Sequence, residues 1–325
     1  DAYIPSILSA QAEYQGKSEL IVVDDASTDN SLDVLKNKFP EVTTVIHDVN
    51  QGFGKACNSG ARTAVYPILI LLNSDVKVYP DFIAPLVQSF EDEATFAASP
   101  LILDEDGGPG DVTICTPYFR RGKIRYTHPP LDRLLQNTAP LPGPWYTLFP
   151  LGGAFAVRRD RFLALGGFDD LFEPFYYEDT DLGFRAWRRG WTCVVVPESR
   201  VIHMHAGVIA RSFKHFKIKA ISKRNRLLYL WKNLTSPAML GQHLVFQAFR
   251  LIYAPLILDG MVLVATFLAI PKIPIAWRRR RAEKKATTIS EKNFFEIIRT
   301  TNMKNQRILE TSAPQPAQEK TSHDS

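Results

Sequence analysis

The stretch Leu20-Ile-Val-Val-Asp24-Asp25-Ala-Ser27-Thr28-Asp29 is an apolar run that ends in two carboxylates and then in a cluster of short polar residues. The run reads as a strand, and Ser27 to Asn30 can cap the exposed N–H groups of a helix that begins near Ser31. The same alternation continues outward. Strands are predicted over residues 19–23, 43–47, 68–72, 96–101 and 192–196, and helices over 31–39, 56–64 and 81–90. This pattern implies an α/β domain with a mostly parallel central sheet flanked by helices. Helical periodicity returns over 158–165, 179–189 and 213–234. Between residues 104 and 150, Gly107, Gly108, Gly110, Pro129, Pro140, Pro142 and Pro144 interrupt every period, which predicts a long irregular segment of the kind that usually serves function.

The 325 residues are 45% hydrophobic and 22% charged, an ordinary globular composition with room for one large domain and an appendage. Cys57, Cys115 and Cys193 lie far apart without metal-ligand spacing, which predicts no disulfide and a reducing compartment. The net charge of +5 is unevenly placed. Residues 211–226 hold seven Lys or Arg and no acid, and residues 272–285 hold seven against Glu283, so these stretches sum to +13 and the remainder carries 5 − 13 = −8. They bracket residues 251–270, where Asp259 is the only charged side chain. Basic clusters around an apolar segment favour an anionic membrane surface over nucleic acid.

Three regions follow: residues 1–210 as the main α/β domain, 211–285 as a basic and apolar helical membrane-associated region, and 286–325 as a polar, mostly disordered tail with one short helix at 294–299. Residues 223–233 place aromatics beside charges, as at a lipid interface. Residues 251–270 are long enough to span a bilayer, but Pro255, Asp259 and Gly260 interrupt them. A simple span would also put Arg278 to Arg281 outside, so a hairpin or in-plane helices are expected. The first residues show no signal-peptide pattern, which places the main domain at the cytoplasmic face of the membrane.

Four constellations carry chemistry. Asp24 and Asp25 follow a strand at the end where a parallel sheet opens its ligand crevice; they either accept hydrogen bonds from a nucleotide or cap the next helix. Gly52-Phe-Gly54 comes after them rather than before, which argues against a dinucleotide fingerprint. Leu72-Asn73-Ser74-Asp75 ends another strand, and Asp75 is either a turn residue or an oxygen ligand for Mg²⁺ or Mn²⁺ bridging two phosphates. Tyr177-Glu178-Asp179-Thr180-Asp181 opens an amphipathic helix; crowded carboxylates raise one another's pKa, which suits a base, while the helix N-terminus opposes that shift. His203 is either a structural histidine or an imidazole ligand for Mn²⁺.

Taken in order with Asn50-Gln-Gly52-Phe-Gly-Lys-Ala56-Cys-Asn58, Gly152-Gly-Ala-Phe-Ala-Val-Arg158-Arg159 and Gly166-Gly-Phe-Asp169, these stretches resemble the inverting family 2 glycosyltransferases with the GT-A fold, particularly the bacterial branch that builds surface polysaccharides. The resemblance runs from about residue 1 to 233. It implies that Asp24, Asp25, Asn50, Asn58 and Asn73 serve the nucleotide-sugar site, and that Asp75 is the metal-binding acid of an Asp-x-Asp element whose first acid is here Asn73. It places Asp179 as catalytic base, His203 as a further metal ligand, and Gly152, Gly153, Ala154 and Glu178 on the acceptor side. Family members begin with an apolar strand, whereas this chain begins at Asp1 inside the first helix, so the first strand is expected to be missing.

The resemblance implies a nucleotide diphosphate sugar donor, a saccharide or lipid-linked saccharide acceptor, and single-displacement chemistry with Mg²⁺ or Mn²⁺. Two rivals stay open on the residues: a non-catalytic nucleotide-sugar-binding protein on the same fold, and a receiver-type domain with paired acids. The second leaves Tyr177 to Asp181 and His203 unexplained.

Overall fold

The computed structural model describes residues 3–108, 110, 113–129, 143–204, 213–256 and 258–312. In chain order, its first part runs α1 (Ile4–Glu13), β1 (Ile21–Asp24), α2 (Ser31–Lys38), β2 (Thr43–Ile46), α3 (Phe53–Thr63), β3 (Ile68–Leu72), β4 (Val76–Val78), α4 (Ile83–Gln88) and β5 (Thr95–Leu103). Next come β6 (Thr116–Arg120), β7 (Lys123–Thr127), β8 (Trp145–Tyr146), β9 (Ala154–Arg158), α5 (Arg159–Ala164), α6 (Glu178–Trp187) and β10 (Thr192–His203). Two-thirds of the way along, the chain turns helical: α7 (His215–Asn233), α8 (Pro237–Tyr253), α9 (Gly260–Ala269), α10 (Ile273–Lys285) and α11 (Glu291–Ser312).

The predicted strands and helices of the first hundred residues form within a few residues of their expected bounds, but the sheet is mixed rather than mostly parallel. β1 pairs with β2 in parallel, and β5 pairs with β10 in parallel. β9 runs antiparallel to both β3 and β5, and β4 and β8 run antiparallel to β10. The main sheet runs β3-β9-β5-β10-β4, with β1 and β2 forming a separate pair, so β3 and β4, only Asn73, Ser74 and Asp75 apart in the chain, end on different partners rather than on each other. The segment read as irregular also holds a hairpin: β6 and β7 pair in the register Arg120↔Lys123, joined by Arg121 and Gly122, both at positive φ (50° and 68°). Two consecutive left-handed residues make the tight turn whose twist suits a hairpin.

β10 bends. Its register against β5 shifts between Val196 and Arg200, at Pro197-Glu198-Ser199, and beyond that bulge residues 201–203 pair with β4. A bulge re-aims the strand that follows it, here carrying His203 to the end of the β3–β4 turn. A core of Phe96, Phe155, Phe162, Phe168, Phe172, Phe184 and Trp187, all buried, lies between the sheet and α6, α7 and α11.

The C-terminal third departs from expectation. Residues 291–312, read as mostly disordered tail, form the 22-residue helix α11, and residues 313–325 lie outside the described residues. Its buried face is Glu291, Phe294, Phe295, Ile298, Asn302 and Asn305. The apolar three lie within the short helix expected at 294–299, and the polar residues on either side of them left the rest of the helix unmarked. Asn302 Nδ2 donates to Tyr146 O and Thr116 Oγ1 (both 2.7 Å), and Asn305 Nδ2 donates to Pro144 O (2.9 Å). The helix expected at a lipid interface is also partly core: Leu227, Leu228, Tyr229, Leu230, Trp231 and Lys232 on α7 are all buried. Residues 251–270 do not form one helix, because α8 ends at Tyr253 and α9 starts at Gly260. From Gly260 to Lys285 the chain is a 26-residue helical run long and apolar enough to cross a membrane. Its two ends are nonetheless tied to the rest of the fold. Lys223 Nζ lies 3.6 Å from Asp259, and Arg279 pairs with Asp170 at 2.5 Å, so the run lies along the domain.

α6 and α7 are clamped by buried charge. Asp181, fully buried, accepts from Lys232 Nζ (2.7 Å), Arg185 Nε (2.6 Å) and Asn233 Nδ2 (2.7 Å), while Lys232 also donates to Asp169 (2.6 Å). Burial opposes both charges. For Asp181 the cations and Asn233 outweigh it and hold the carboxyl below its usual range; for Lys232 burial wins over Asp181 and pushes the ammonium down to about 8. Removing one partner strands the other, so Lys232→Met should cost about 3–5 kcal/mol in urea unfolding; a loss under about 1 kcal/mol would show the clamp to be dispensable. Phe294→Ala should cost about 3–5 kcal/mol by the same measurement if α11 is part of the cooperative fold, and almost nothing if it is not.

Candidate active site

Strand ends supply the first half of the site. Asp24 is buried at the end of β1, and its Oδ2 accepts from Ser27 N–H (3.2 Å), so it closes the turn into α2. Asp25, one residue on, is bound by its own chain. It accepts from the N–H groups of Gln51 (2.9 Å) and Gly52 (2.7 Å) and from His47 Nδ1 (2.7 Å), while Asn50 Nδ2 donates to its backbone carbonyl (3.2 Å). Burial works against the Asp25 charge, but these hydrogen bonds outweigh it and hold the carboxyl below its ordinary value. The structure therefore gathers Asp25, Asn50 and His47 into one network, with His47 Nε2 within 3.0 Å of Ser59 Oγ. His47 was not singled out in the sequence; its signal was its place just past a strand parallel to the one that ends at Asp24.

Asn58 faces elsewhere. Its Nδ2 donates to Phe168 O (2.9 Å) and its Oδ1 accepts from Phe168 N–H (2.8 Å), so both polar atoms hold the Gly166-Gly167-Phe168 turn against α3. A Cβ on Gly167 would fall 2.1 Å from Asn58 Oδ1, and φ there is +67°, which explains the glycine twice over.

The bend of β10 builds the second half. His203 pairs in register with Val76, and His203 Nε2 comes within 3.2 Å of Asp75 Oδ1. Asn73 lies beside them. Its N–H donates to Gly153 O (2.9 Å), and its buried Oδ1 has no hydrogen-bond partner. A Cβ placed on Gly153 would lie 3.5 Å from His203 and 3.9 Å from Asn73 Nδ2. Among the described residues no third His, Cys, Asp or Glu joins the pair.

Gly152 faces the other way. Its N–H donates to Asp179 Oδ2 (3.1 Å), and a Cβ there would meet that oxygen at 3.1 Å. Asp179 Oδ1 accepts from Thr180 N–H (2.6 Å) and Thr180 Oγ1 (3.2 Å). Two adjacent glycines thus bring Asp179 to one side of a backbone turn and the Asp75–His203 pair to the other, and Ala154 follows them fully buried in β9. Burial raises the Asp179 pKa despite its hydrogen bonds. Glu178 is pushed up to about 8 by burial and then by Asp179, and its Oε2 is buried without a partner.

The approach to α6 is strained. Tyr176 and Tyr177 both hold positive φ (71° and 78°), a region costly for bulky side chains and found where surrounding structure enforces it. Asn225 of α7 supplies that enforcement, donating through Nδ2 to the carbonyls of Phe175 and Tyr176 (both 2.9 Å). Asn225 escaped the sequence reading because it sits among Lys223, Arg224 and Arg226 in a stretch read for its charge.

Residues 3–160 match the family described as Glycosyl transferase family 2, and residues 136–277 match Glycosyl transferase family group 2. Human polypeptide N-acetylgalactosaminyltransferase 16 is 28% identical over 57% of this chain and 34% of its own length. The N-acetylglucosaminyl-diphospho-decaprenol L-rhamnosyltransferase of Mycobacterium tuberculosis is 28% identical over 58% of this chain and 66% of its own. The chain thus spans about a third of the N-acetylgalactosaminyltransferase it matches. Among solved structures, S. aureus TarS 1-349 in complex with UDP-GlcNAc superposes with a TM-score of 0.51 at 16% identity, covering 96% of this chain and 88% of that one. GalNAc-T7 with UDP, GalNAc and Mn²⁺ also gives 0.51, at 20% identity over 67% and 42%. Two overlapping family matches that run from residue 3 to residue 277 lead to one assignment: the chain belongs to the family 2 glycosyltransferases and carries the GT-A fold.

Proposed function

We propose that this chain transfers a sugar, with inversion, from a nucleoside diphosphate sugar to a hydroxyl of a saccharide or lipid-linked saccharide, working at the cytoplasmic face of a membrane. The observation that carries the reading is the Gly152–Gly153 turn, which sets a basic carboxylate and a cation-binding pair on its two sides. Asp179 takes the proton of the acceptor hydroxyl while the hydroxyl oxygen attacks the anomeric carbon. The bond from that carbon to the donor diphosphate breaks, and the diphosphate leaves with the electron pair.

The two neighbouring carboxyls divide the protonation states. Glu178, pushed up to about 8, holds a proton at neutral pH, and Asp179, with its three hydrogen-bond donors, stays the carboxylate. A raised pKa also makes Asp179 a better base than an ordinary carboxylate.

Asp75 and His203, with the unpartnered Asn73 Oδ1, suit a hard divalent cation whose remaining ligands come from phosphates and water. Bound there, Mg²⁺ or Mn²⁺ would neutralise charge developing on the leaving diphosphate. The solved relative that carries UDP and Mn²⁺ supports this choice of ion. The membrane placement is supported by Val245, Phe249, Ile252, Leu256 and Leu258, which are exposed on and just after α8, and by the seven Lys or Arg between residues 272 and 285.

Asp179→Asn should lower turnover by about a hundredfold or more while leaving UDP-sugar binding nearly unchanged; near-normal turnover would remove Asp179 from the role. Turnover of the unaltered protein should fall as pH drops through the raised Asp179 pKa, because the carboxylate is the active form. Glu178→Gln should keep that limb and abolish the protonation near 8. For the cation, His203→Ala and Asp75→Asn should each weaken Mn²⁺ binding in the presence of UDP by at least the about tenfold that loss of a supporting ligand partner costs, read by paramagnetic resonance titration. Equal Mn²⁺ affinity in all three proteins would place the ion elsewhere.

A further inference from the structure

Between the β6–β7 hairpin, α7 and α8 lies a shallow hollow that the reaction at Asp179 does not use. Arg121 and Lys123 line it from the hairpin, Arg226 from α7 and Arg250 from α8, and Arg125 and Lys223 add charge close by. Among the described residues no carboxylate pairs with Arg121, Lys123, Arg125 or Arg226. Asp259 meets only the edge of the group, 3.6 Å from Lys223 and 3.9 Å from Arg250, beyond hydrogen-bond distance.

Like charges repel, so the fold has to hold these together. Gly122, at positive φ in the hairpin turn, is packed so closely on α8 that a Cβ would lie 2.9 Å from His243 Cα. Buried His243 accepts a hydrogen bond on Nε2 from Trp231 Nε1 (3.1 Å) and donates from Nδ1 to Gly122 O (2.7 Å). One neutral imidazole thus pins the hairpin, α7 and α8 to one another. Burial, helped by Arg226, Lys123 and Arg250, lowers its pKa against the hydrogen bond to Gly122, so the ring adds no charge to the group at neutral pH. Burial first, then Arg250, Arg226 and Arg125, also push Lys123 down to about 8. Four cations are therefore fixed on three elements around one hollow, a concentration of positive potential that favours an anion.

Two features describe that anion. Three of the four cations are arginines, whose planar forks bind phosphoryl oxygens in pairs, and Lys123 adds a point charge. The second feature is orientation. His243, Gln247 and Arg250 turn toward the hollow at helical spacing, whereas Val245, Phe249 and Ile252 lie on the opposite side of α8, 69%, 57% and 69% exposed. A bilayer against that apolar stripe is on the far side of the helix from the hollow, which points to an anion from solution. Arg226 also follows Asn225, which holds the strained approach to the acids of α6, so an anion bound here braces the same helix.

We propose that this hollow binds a phosphoryl dianion carried by a soluble compound, inorganic phosphate or a phosphomonoester, which ties the β6–β7 hairpin to α7 and α8. The site stands apart from the sugar-transfer chemistry and does not depend on the transferase reading.

The test is calorimetric titration of the full chain with inorganic phosphate at matched ionic strength, in EDTA so that no divalent cation at Asp75 recruits the anion. Phosphate should bind and should raise the thermal midpoint above its value in chloride. The double variant Arg226→Gln, Arg250→Gln should lose about tenfold or more of that affinity, with its midpoint in chloride unchanged or raised because repulsion is relieved. Lys123→Gln gives an independent reading from the hairpin side and should weaken phosphate by about threefold or more. Arg278→Gln, Arg281→Gln removes the same charge from exposed positions on α10 and should keep the affinity within about twofold. Phosphate that binds no better than chloride, or equal losses in the two double variants, would overturn the site. Binding to phosphatidylglycerol vesicles should be the same with and without Arg226 and Arg250; a loss there as large as the loss of phosphate would make the ligand a lipid headgroup and overturn the soluble source. None of these readings requires catalysis, so a protein that binds phosphate as described yet transfers no sugar would sink the transferase reading and leave the hollow assigned.

Discussion

Asp181 has no exposed atom, and a carboxylate so placed is tolerable only while its cations stay where they are. Lys232 and Asn233 reach it from the last turn of α7, Arg185 from the next turn of its own helix, and Lys232 also holds Asp169. The clamp fixes the start of α6, which begins three residues before Asp181 and carries Glu178 and Asp179. Asn225, two turns earlier on α7, holds the strained Tyr176 in the same way. The helix read as a lipid-facing appendage is therefore the part that positions Glu178 and Asp179.

A second dependence runs through backbone rather than charge. The bulge in β10 sends His203 toward β4, the three-residue turn after β3 delivers Asp75, and the β9 entry supplies two glycines in the space between. A side chain at Gly152 would press on the Asp179 carboxylate, and one at Gly153 would stand against His203. Small residues are required there because two chemically different groups approach one stretch of chain from opposite sides. This arrangement sets Asp179 and the Asp75–His203 pair on opposite sides of one stretch of chain.

The basic residues divide into two populations. Lys232, Arg185, Arg188 and Arg280 are buried and bind carboxylates, carbonyls or hydroxyls of the domain, as when Arg188 donates to Asn233 O (2.9 Å) and Thr235 Oγ1 (2.9 Å). Arg121, Lys123 and Arg226 gather at a shallow hollow between the β6–β7 hairpin, α7 and the inward face of α8. Charge counting along the chain merges the two, although the first is paired inside the fold and the second lines a shallow hollow at its surface.

The sequence alone determined the elements and the chemistry-bearing positions wherever local pattern and local role coincide. Apolar runs closed by acids marked the strand ends at Asp24, Asp25 and Asp75, and the acid-headed helix marked Glu178 and Asp179, because strand ends and helix starts are defined over a few consecutive residues. It gave α11 only as a short helix at 294–299, because beyond Ile298 the buried face is polar and is satisfied by distant groups on β6 and β8. It also overstated parallel pairing, since strand direction in a sheet depends on which distant strands meet. Only the tertiary structure decided that Asn58 serves the turn at Phe168, that His203 meets Asp75, and that half of α7 is core. Each of those outcomes depends on a pair of groups from about 50 to 130 residues apart in the chain, and no local period records such a pairing.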